Sequence, residues 1–509
     1  MDFLTTIFFL IAFPLLFLSL ILFILGIRIC AGKSIKNPKY APVKGTVFNQ
    51  LLHYSYIYDY QTQITKKLPT FRLLSFGRSE IYTTDSRNIE HILKTNFDKY
   101  AKGKYHHENV SDYWGQGIFA VDGDKWRQQR KLASYEFSTR NLRDFSCSVF
   151  KRNAAKLVRA VSKLAVSGQV IEFQDMFMKC TMESMFKIGF GIDLNCLDWS
   201  SEGTFFIKAF DDANESLALR FVDPIWKLKR YLNIGSEASL KKNIKAVDNF
   251  IHNIINTKRK QLAMNPDGNI KDDILSRFLA EGEKNPETIT DQYLRDIILS
   301  FLFAGKDTSA NTLSWFFYVL CKNPLIQEKV AQEVMDITCS KGNDANCDDF
   351  ITNITEATLD KMHYLHATLT ETLRLYPVAP ADGRNAQVDD ILPDGYKVKK
   401  GDDVIYLSYA MGRMTYIWGE DAEIFRPERW LKDGVFQSES PFKFISFHAG
   451  PRICLGKEFA YRQMKILAIA LIRYFRFKLA DDTKDATYRV TFTLHMKGGL
   501  HLYAVPRIT

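Results

Sequence analysis

The stretch from Thr288 to Pro324 limits the architecture more than any other part of the chain, because read as a helix it leaves almost no polar face. A helix that is apolar nearly all round has to be surrounded by other elements, so it belongs at the centre of a large body. Thr288 is the expected N-cap, with Asp291 in the first turn, and Asn323-Pro324 is the stop signal. The chain has 509 residues, enough to surround such a helix. Length alone suggests about three domains, but no Gly/Ser/Pro-rich linker and no internal repeat divides the chain after the first fifty residues. The expected division is an N-terminal segment over 1–30, a connecting stretch over 31–50 and one body over 51–509.

The N-terminal segment is of a different kind. Leu4 to Ile27 contains no charged residue, and its 24 residues make a helix of about 36 Å, long enough to cross a bilayer with some tilt. Ala31-Gly32 would suit a signal-peptide cleavage site, but the apolar core of a secretory signal runs only about 7–15 residues and follows positive charge. Here Asp2 precedes the run, while Arg28, Lys33, Lys36, Lys39 and Lys44 follow it. Positive charge on the inner side then implies a single uncleaved anchor with the body in the cytosol. Asn37 to Gly45 reads as a stiff, polar hinge. On this topology the three glycosylation sequons at Asn109, Asn214 and Asn353 stay bare.

The formal charge of +10 suits a membrane surface or an acidic protein partner, and the lack of a long Lys/Arg run argues against nucleic acid. The eight cysteines form no C-x-x-C pair and no framework, a pattern of reducing compartments.

Further along, Phe71 to Thr84 reads as strand and turn around Gly77, and Tyr396–Leu407 and Tyr488–Tyr503 as short strands. Lys241 to Met264 reads as a helix that packs on the body through Ile244, Val247, Ile251 and Ile254. Phe221 to Gly235, with Trp226 and several basic residues, is a candidate to dip into lipid. Asn265–Asn269 and Glu281–Pro286 read as loops by their turn residues. The fold class expected is mainly α with a small β component.

The sharpest chemical signal is Phe447-His-Ala-Gly450-Pro-Arg452-Ile-Cys454-Leu-Gly456, followed at once by an apolar-periodic helix. Gly450 lets the chain turn tightly and Gly456 allows a close backbone approach. Cys454 then sits at a helix N-terminus, where free N–H groups and the helix dipole favour a thiolate. A cysteine nucleophile would need a histidine base. Neither His363/His366 nor His106/His107 has that context, and both pairs read as ordinary helix-face or loop residues.

This segment fits F-x-x-G-x-R-x-C-x-G at every fixed position and resembles the cytochrome P-450 superfamily of haem-thiolate monooxygenases. The resemblance covers roughly Leu68 to Arg507 and implies a P-450 fold with a non-covalent haem b whose iron is held by Cys454. A thiolate in that role donates electron density and favours O–O cleavage. Trp126, Arg130, Arg384 and Arg452 match positions that hold the haem propionates. Glu371-Thr-Leu-Arg374 matches E-x-x-R, and Arg429 matches the second arginine of that pair. These three are expected to fix the cysteine loop, a structural role. Ala304-Gly305-Lys-Asp307-Thr308 matches A-G-x-D-T, in which Asp307 and Thr308 deliver protons to oxygen. A glycine beside a threonine whose hydroxyl competes for a backbone carbonyl can also open the helix locally.

Within the superfamily, Tyr409 to Ala422 and the cysteine loop look like the plant fatty-acid hydroxylases and, more distantly, the yeast alkane and fatty-acid ω-hydroxylases. This implies hydroxylation of a long-chain fatty acid at or near its methyl end. Electrons would come from NADPH through a membrane-bound flavin reductase at the endoplasmic reticulum. Phe119, Phe301, Phe303, Val378, Ala379 and Leu494 match pocket-lining positions. Ala304 stands where animal ω-hydroxylases often carry a glutamate that forms an ester to haem, so the haem is expected to be free of that bond. The competing readings are an in-chain hydroxylase, a hydroxylase of another lipophilic substrate, a reductase-independent thiolate-haem isomerase and a haem-binding protein without turnover. The intact Asp307-Thr308 pair argues against the isomerase.

Overall fold

The structure is a computed structural model that describes residues 3–31, 33–196, 201–264, 273–284, 287, 289–338 and 347–507. The chain forms two compact units, one from Met1–Gly103 and Ala381–Leu407, the other from Lys104–Pro380 and Ser408–Thr509.

In the first unit the apolar run is a helix, α1 (Phe3–Cys30). Its Ala12–Cys30 portion has a mean hydropathy of 2.5 and is hardly buried, which by length and composition suits a membrane span. The strand-and-turn reading around Gly77 corresponds to an antiparallel pair. In chain order the strands are β1 (Val43–Thr46), β2 (Thr70–Leu74), β3 (Ser79–Thr83), β4 (Tyr100–Ala101), β5 (Asp382–Ala386) and β6 (Asp403–Tyr406). They form one sheet in the order β1-β2-β3-β6-β5-β4. Because β1 pairs in parallel with β2, part of the stretch that reads as a hinge is an edge strand. The buried Arg72 guanidinium reinforces this by donating to the backbone carbonyls of Lys33, Ser34 and Ala41.

The second unit is mostly helical. Its principal helices are α2 (Gly103–Trp114), α3 (Gly123–Ser138), α4 (Arg140–Val166), α5 (Phe173–Phe190), α6 (Ser201–Leu219), α7 (Trp226–Leu232), α8 (Gly235–Met264), α9 (Ile274–Lys284), α10 (Asp291–Lys322), α11 (His363–Leu375) and α12 (Lys457–Tyr474). A hairpin of β7 (Tyr488–Val490) and β8 (Leu494–Met496) lies near the C-terminus. The apolar helix read from the sequence is α10, and most of its length is buried as its composition requires. Its cap differs from the expectation: the Thr290 hydroxyl accepts from the Tyr293 amide at 3.2 Å, whereas Thr288 lies outside the described residues. Capping from Thr290 places the Asp291 carboxylate at the first helical position, where it complements the helix dipole.

Two segments, Asn265–Asn269 and Glu281–Pro286, read as loops from the sequence. Glu281–Lys284 is the last turn of α9, because the apolar face of Ile274, Leu275 and Phe278 carries the helix through Gly282. The other, Asn265–Asn269, lies outside the described residues, as do Asn285 and Pro286. α8 begins earlier than the sequence suggested and packs on α6. Val247, Ile251 and Ile254 are buried and Ile244 is half-buried, which is body packing.

Arg220 joins three helices. It donates to the Asn109 carbonyl at 2.9 Å, to Asp112 at 2.8 Å and to both oxygens of Glu237 at 2.9 and 2.6 Å, linking α2, the end of α6 and α8. Trp226 lies beneath the same guanidinium, 4.4 Å from it. Around that buried tryptophan, Ile225, Leu228, Tyr231, Leu232 and Ile234 are all exposed, the arrangement a lipid-dipping segment requires.

Asn109 is fully buried and Asn214 is 5% exposed, so neither side chain is within reach of a glycosyltransferase once folded. Asn353 is exposed and therefore reports the topology. Glycosidase treatment of the expressed full-length protein should leave its electrophoretic mobility unchanged. A shift abolished by Asn353→Gln would place the body on the luminal side.

Candidate functional site

The cysteine loop is shaped by its backbone before its side chains matter. Gly450 sits at φ +65°, a region that side chains with a Cβ rarely enter, and the turn closes through Ile453 N–H to Gly450 O at 3.0 Å and Cys454 N–H to Phe447 O at 2.8 Å. Cys454 is thereby presented three residues ahead of α12. It is solvent-accessible, yet protein surrounds it closely enough that burial pushes its thiol pKa up. A side chain both enclosed and accessible stands at the floor of a recess. The Gly456 N–H and the charges of Arg130 and Lys457 act in the opposite direction and favour the thiolate. A Cβ on Gly456 would meet no protein atom nearer than the Cys454 sulfur at 3.9 Å, so the space it leaves lies beside the thiol.

The loop is clamped from two sides. On one side is α3, where Trp126 and Arg130 are one turn apart. Arg130 donates to the Ile453 carbonyl, and the Arg452 guanidinium stacks 4.4 Å from the Trp126 ring while bonding Asp122 at 2.6 Å and the Val121 carbonyl at 3.1 Å. The three residues expected at the propionates are thus gathered at the cysteine loop. Arg384, the fourth, belongs to β5 in the other unit, where it donates to Asp382 at 3.1 Å and to the Gly383 carbonyl at 2.6 Å.

On the other side is α11. Glu371 is fully buried and accepts from Arg374 at 2.7 and 2.8 Å, from Arg429 at 2.9 Å, from the Trp430 indole at 2.9 Å and from the Arg426 amide at 2.9 Å. Arg374 disposes of its remaining donors on the carbonyls of Gly412, Ala422 and Ile424. Gly412 permits this approach, since a Cβ there would fall 2.0 Å from the Arg374 carbonyl oxygen. The cluster reaches the cysteine loop through Ser446, whose hydroxyl donates to Leu373 O at 2.8 Å. Thr370 contacts the Tyr461 hydroxyl, and the Tyr461 ring lies 5.1 Å from Phe447. His366, read from the sequence as an ordinary helix-face residue, stacks on the same Tyr461 at 4.2 Å.

α10 packs against α12, the helix that follows the cysteine loop. Ala304 is exposed and Phe301, Gly305 and Thr308 are half-buried, whereas Leu302, Lys306, Asp307 and Ser309 are buried. Positions i, i+3, i+4 and i+7 form one strip, so the middle of this enclosed helix opens on free space along that strip. Phe137 of α3 touches both Phe301 (5.7 Å) and Phe459 of α12 (5.8 Å), so the helices carrying Arg130, the strip and the cysteine loop converge. An accessible thiol, an accessible helical strip and flanking guanidinium groups fit a flat anionic prosthetic group such as haem. The expected local opening at Gly305 is not formed, because α10 is continuous from Asp291 to Lys322. Gly305 serves packing instead, since a Cβ there would come 2.2 Å from the Met185 sulfur of α5.

The two members of the acid–alcohol pair face different ways. The Thr308 hydroxyl donates to the Ala304 carbonyl along the accessible strip. Asp307 turns to the interior, 2.9 Å from the Lys306 ammonium and 3.6 Å from His495 Nε2. Burial opposes its charge, but Lys306 and His495 outweigh it and hold the carboxyl well below its ordinary range. Lys306 also bonds Asp211 of α6. Sequence reasoning missed Asp211, Lys306 and His495, although a lysine inside an apolar helix was a visible signal.

The pocket candidates divide. Phe119 and Phe303 pack with Trp114 and Phe492 in one aromatic cluster, and Ala379 is exposed. Phe301 borders the strip. Val378 and Leu494 are buried and joined by a backbone hydrogen bond of 2.9 Å. Trp114 and Phe492 were not anticipated.

Sequence comparison agrees with this geometry. The Cytochrome P450 family model matches residues 36–502. Cytochrome P450 704C1 of Pinus taeda is 47% identical over 485 residues, covering 93% of each chain. Cytochrome P450 704B1 of Arabidopsis thaliana is 41% identical, over 91% of this chain and 94% of its own. Cytochrome P450 86B1 of the same plant is 41% identical, over 84% and 77%.

Two outcomes are expected. Glu371→Ala leaves the Arg374 guanidinium buried without its counter-charge, a loss of about 3–5 kcal/mol, measured as disappearance of protein with the carbon-monoxide spectrum of a thiolate-ligated haem. Burial, with Lys465 and Lys457 adding to it, pushes His366 down to about 3 from an ordinary 6.5. The unfolded chain therefore binds the extra proton between those values, and stability falls as pH drops from 6.5 towards 3. Thermal midpoints across that range should fall less steeply in His366→Phe.

Proposed function

The chain belongs to the cytochrome P450 family, and from that membership we propose that it hydroxylates long-chain fatty acids at or near the methyl end. As a member it is a monooxygenase with a thiolate-ligated haem b, a redox partner reductase and a lipophilic substrate. The observation that carries the finer reading is the exposed side of α10 at Ala304, close to the aromatic cluster of Trp114, Phe119, Phe303 and Phe492. Such walls admit a slender apolar chain, and none of these residues is a cation that would draw a carboxylate, so the polar end of the substrate stays away from the strip. The likeness of Tyr409–Ala422 to the plant fatty-acid hydroxylases supports the same choice.

Cys454 would supply the thiolate that holds the haem iron, and the haem, when bound, would supply the chemistry of dioxygen activation. Arg130, Arg452 and the Trp126 indole, gathered at the cysteine loop, would hold the propionates. Glu371, Arg374 and Arg429 keep the cysteine loop in register by fixing α11 against it. Thr308 presents a hydroxyl on the accessible strip, its proton lent to the Ala304 carbonyl and its lone pairs open to accept another. Asp307 is the acid next along the proton path. Ala304 has no group able to esterify the haem, which is therefore held without a covalent bond. The anchor α1 and the exposed apolar residues of α7 keep the body on the cytosolic face of the endoplasmic reticulum, beside an NADPH-dependent flavin reductase.

Membranes containing the protein and a reductase, given NADPH and a panel of fatty acids, should yield a terminal hydroxy acid by mass spectrometry. The product should vanish in Cys454→Ala. An in-chain hydroxyl would correct the regiochemistry, and a normal carbon-monoxide spectrum without any fatty-acid product would reject the substrate class. Thr308→Val should form less product per NADPH and release more hydrogen peroxide.

A further inference from the structure

Lys306 has no solvent exposure, an unusual place for an ammonium. It is satisfied by two carboxylates, Asp211 of α6 and Asp307 beside it. Asp307 uses its second oxygen towards His495 of β8, so four ionisable groups run from α6 through α10 to β8. Their positions are set by the docking of α10 along that strand. Asn311 contacts the Thr493 hydroxyl at 3.3 Å and the Trp315 indole donates to the Leu494 carbonyl at 2.8 Å. Asp307, Asn311 and Trp315 are four residues apart and share one face, which brings Asp307 opposite His495.

The cluster sets two carboxylates against one ammonium. The Asp211 side chain is 32% exposed, whereas Asp307 is enclosed and turns its Oδ2 to the imidazole, so the Asp307–His495 contact is where the buried part of the cluster can exchange a proton. His495 is also the member nearest bulk water on the β8 side, with its side chain 10% exposed. Arg489 stands opposite it on β7 and pairs with Glu215 of α6 at 3.3 Å, both on the surface. The Tyr113 hydroxyl on α2 faces Asp211 and Asp307 from the remaining side, with its pKa raised by burial.

We propose that His495 is a positioning and relay residue that conducts protons from solvent to Asp307 during turnover. The imidazolium gives its Nε2 proton to Asp307 Oδ2; one N–H bond breaks, one O–H bond forms, and the pair becomes neutral. Asp307 gives up that proton towards the accessible side of α10, where the Thr308 hydroxyl lies, its O–H bond breaking as it does so, and His495 takes another from water. Lys306 remains charged throughout and holds Asp307 Oδ1, which leaves Oδ2 to the imidazole. The present 3.6 Å is longer than a hydrogen bond, and catalytic contacts commonly tighten only when substrate is bound. Monooxygenation consumes two protons per turnover as it forms water, so the demand on such a path recurs in every cycle. This inference rests on the proposed role of Asp307 and Thr308.

The test uses the full-length enzyme with its reductase and a fatty acid that it turns over. His495→Gln should lower product formed per NADPH about tenfold, less than the 10²–10⁴ typical of a direct proton donor. It should also flatten the pH profile of coupling, while KM and the carbon-monoxide spectrum stay as in the parent. Normal coupling in His495→Gln beside uncoupled Asp307→Asn would overturn the relay and leave the acid in place. Normal coupling in Asp307→Asn would overturn both. A second readout needs no turnover: in enzyme labelled with ¹⁵N-histidine, reduced and carbon-monoxide-bound, the His495 Nε2 resonance should move in Asp307→Asn and hold still in Thr308→Val. A resonance that ignores Asp307→Asn would overturn the contact itself, even if His495→Gln failed to fold.

Discussion

The buried carboxylate of Glu371 is the interaction on which the rest of the haem side depends. It has no water to solvate it, and five donors from Arg374, Arg426, Arg429 and Trp430 take water's place. A charge this deep is tolerable only when every partner is present. The arrangement therefore holds α11 and the segment from Gly412 to Trp430 together or not at all. Ser446 and the Thr370–Tyr461–Phe447 chain carry that rigidity to the cysteine loop. The thiol is thus placed by a residue that never touches it.

On the other side of the recess, α10 separates two tasks within one turn. Thr308 stays on the accessible strip, while Asp307, about 100° round the helix, faces α6 and β8. Continuity of the helix matters here, because a break at Gly305 would uncouple the two directions. Gly305 is required by the sulfur of Met185, which leaves no room for a methyl group. Packing and chemistry select the same short motif for unrelated reasons.

How much of this was legible in the sequence depended on distance along the chain. The cysteine loop, the Glu371–Arg374 pair and the Trp126–Arg130 turn are local patterns whose geometry follows from spacing. Arg429 was reached only through the family resemblance. The Lys306 network was not read, because Asp211 and His495 are far from Lys306 in sequence and meet it only after α6 and β8 have docked on α10. The cap of α10 was misplaced by two residues, since Thr288 and Thr290 offer the same hydroxyl and only the observed hydrogen bond separates them. The end of α9 was misread because Gly282 and Asn285-Pro286 resemble a turn, whereas burial of one apolar face outweighs one glycine.

Two buried cations, Arg220 and Lys306, are the fasteners of the helices around that recess. Arg220 binds α2, α6 and α8 to one another, and Lys306 binds α6 to α10. Both cations are buried although Asp112 and Asp211 are partly exposed, so ionic strength loosens these ties less than it would a surface pair. Water can loosen them, by entering and solvating the separated charges. Any loosening of these helices should therefore answer more to hydration and temperature than to salt.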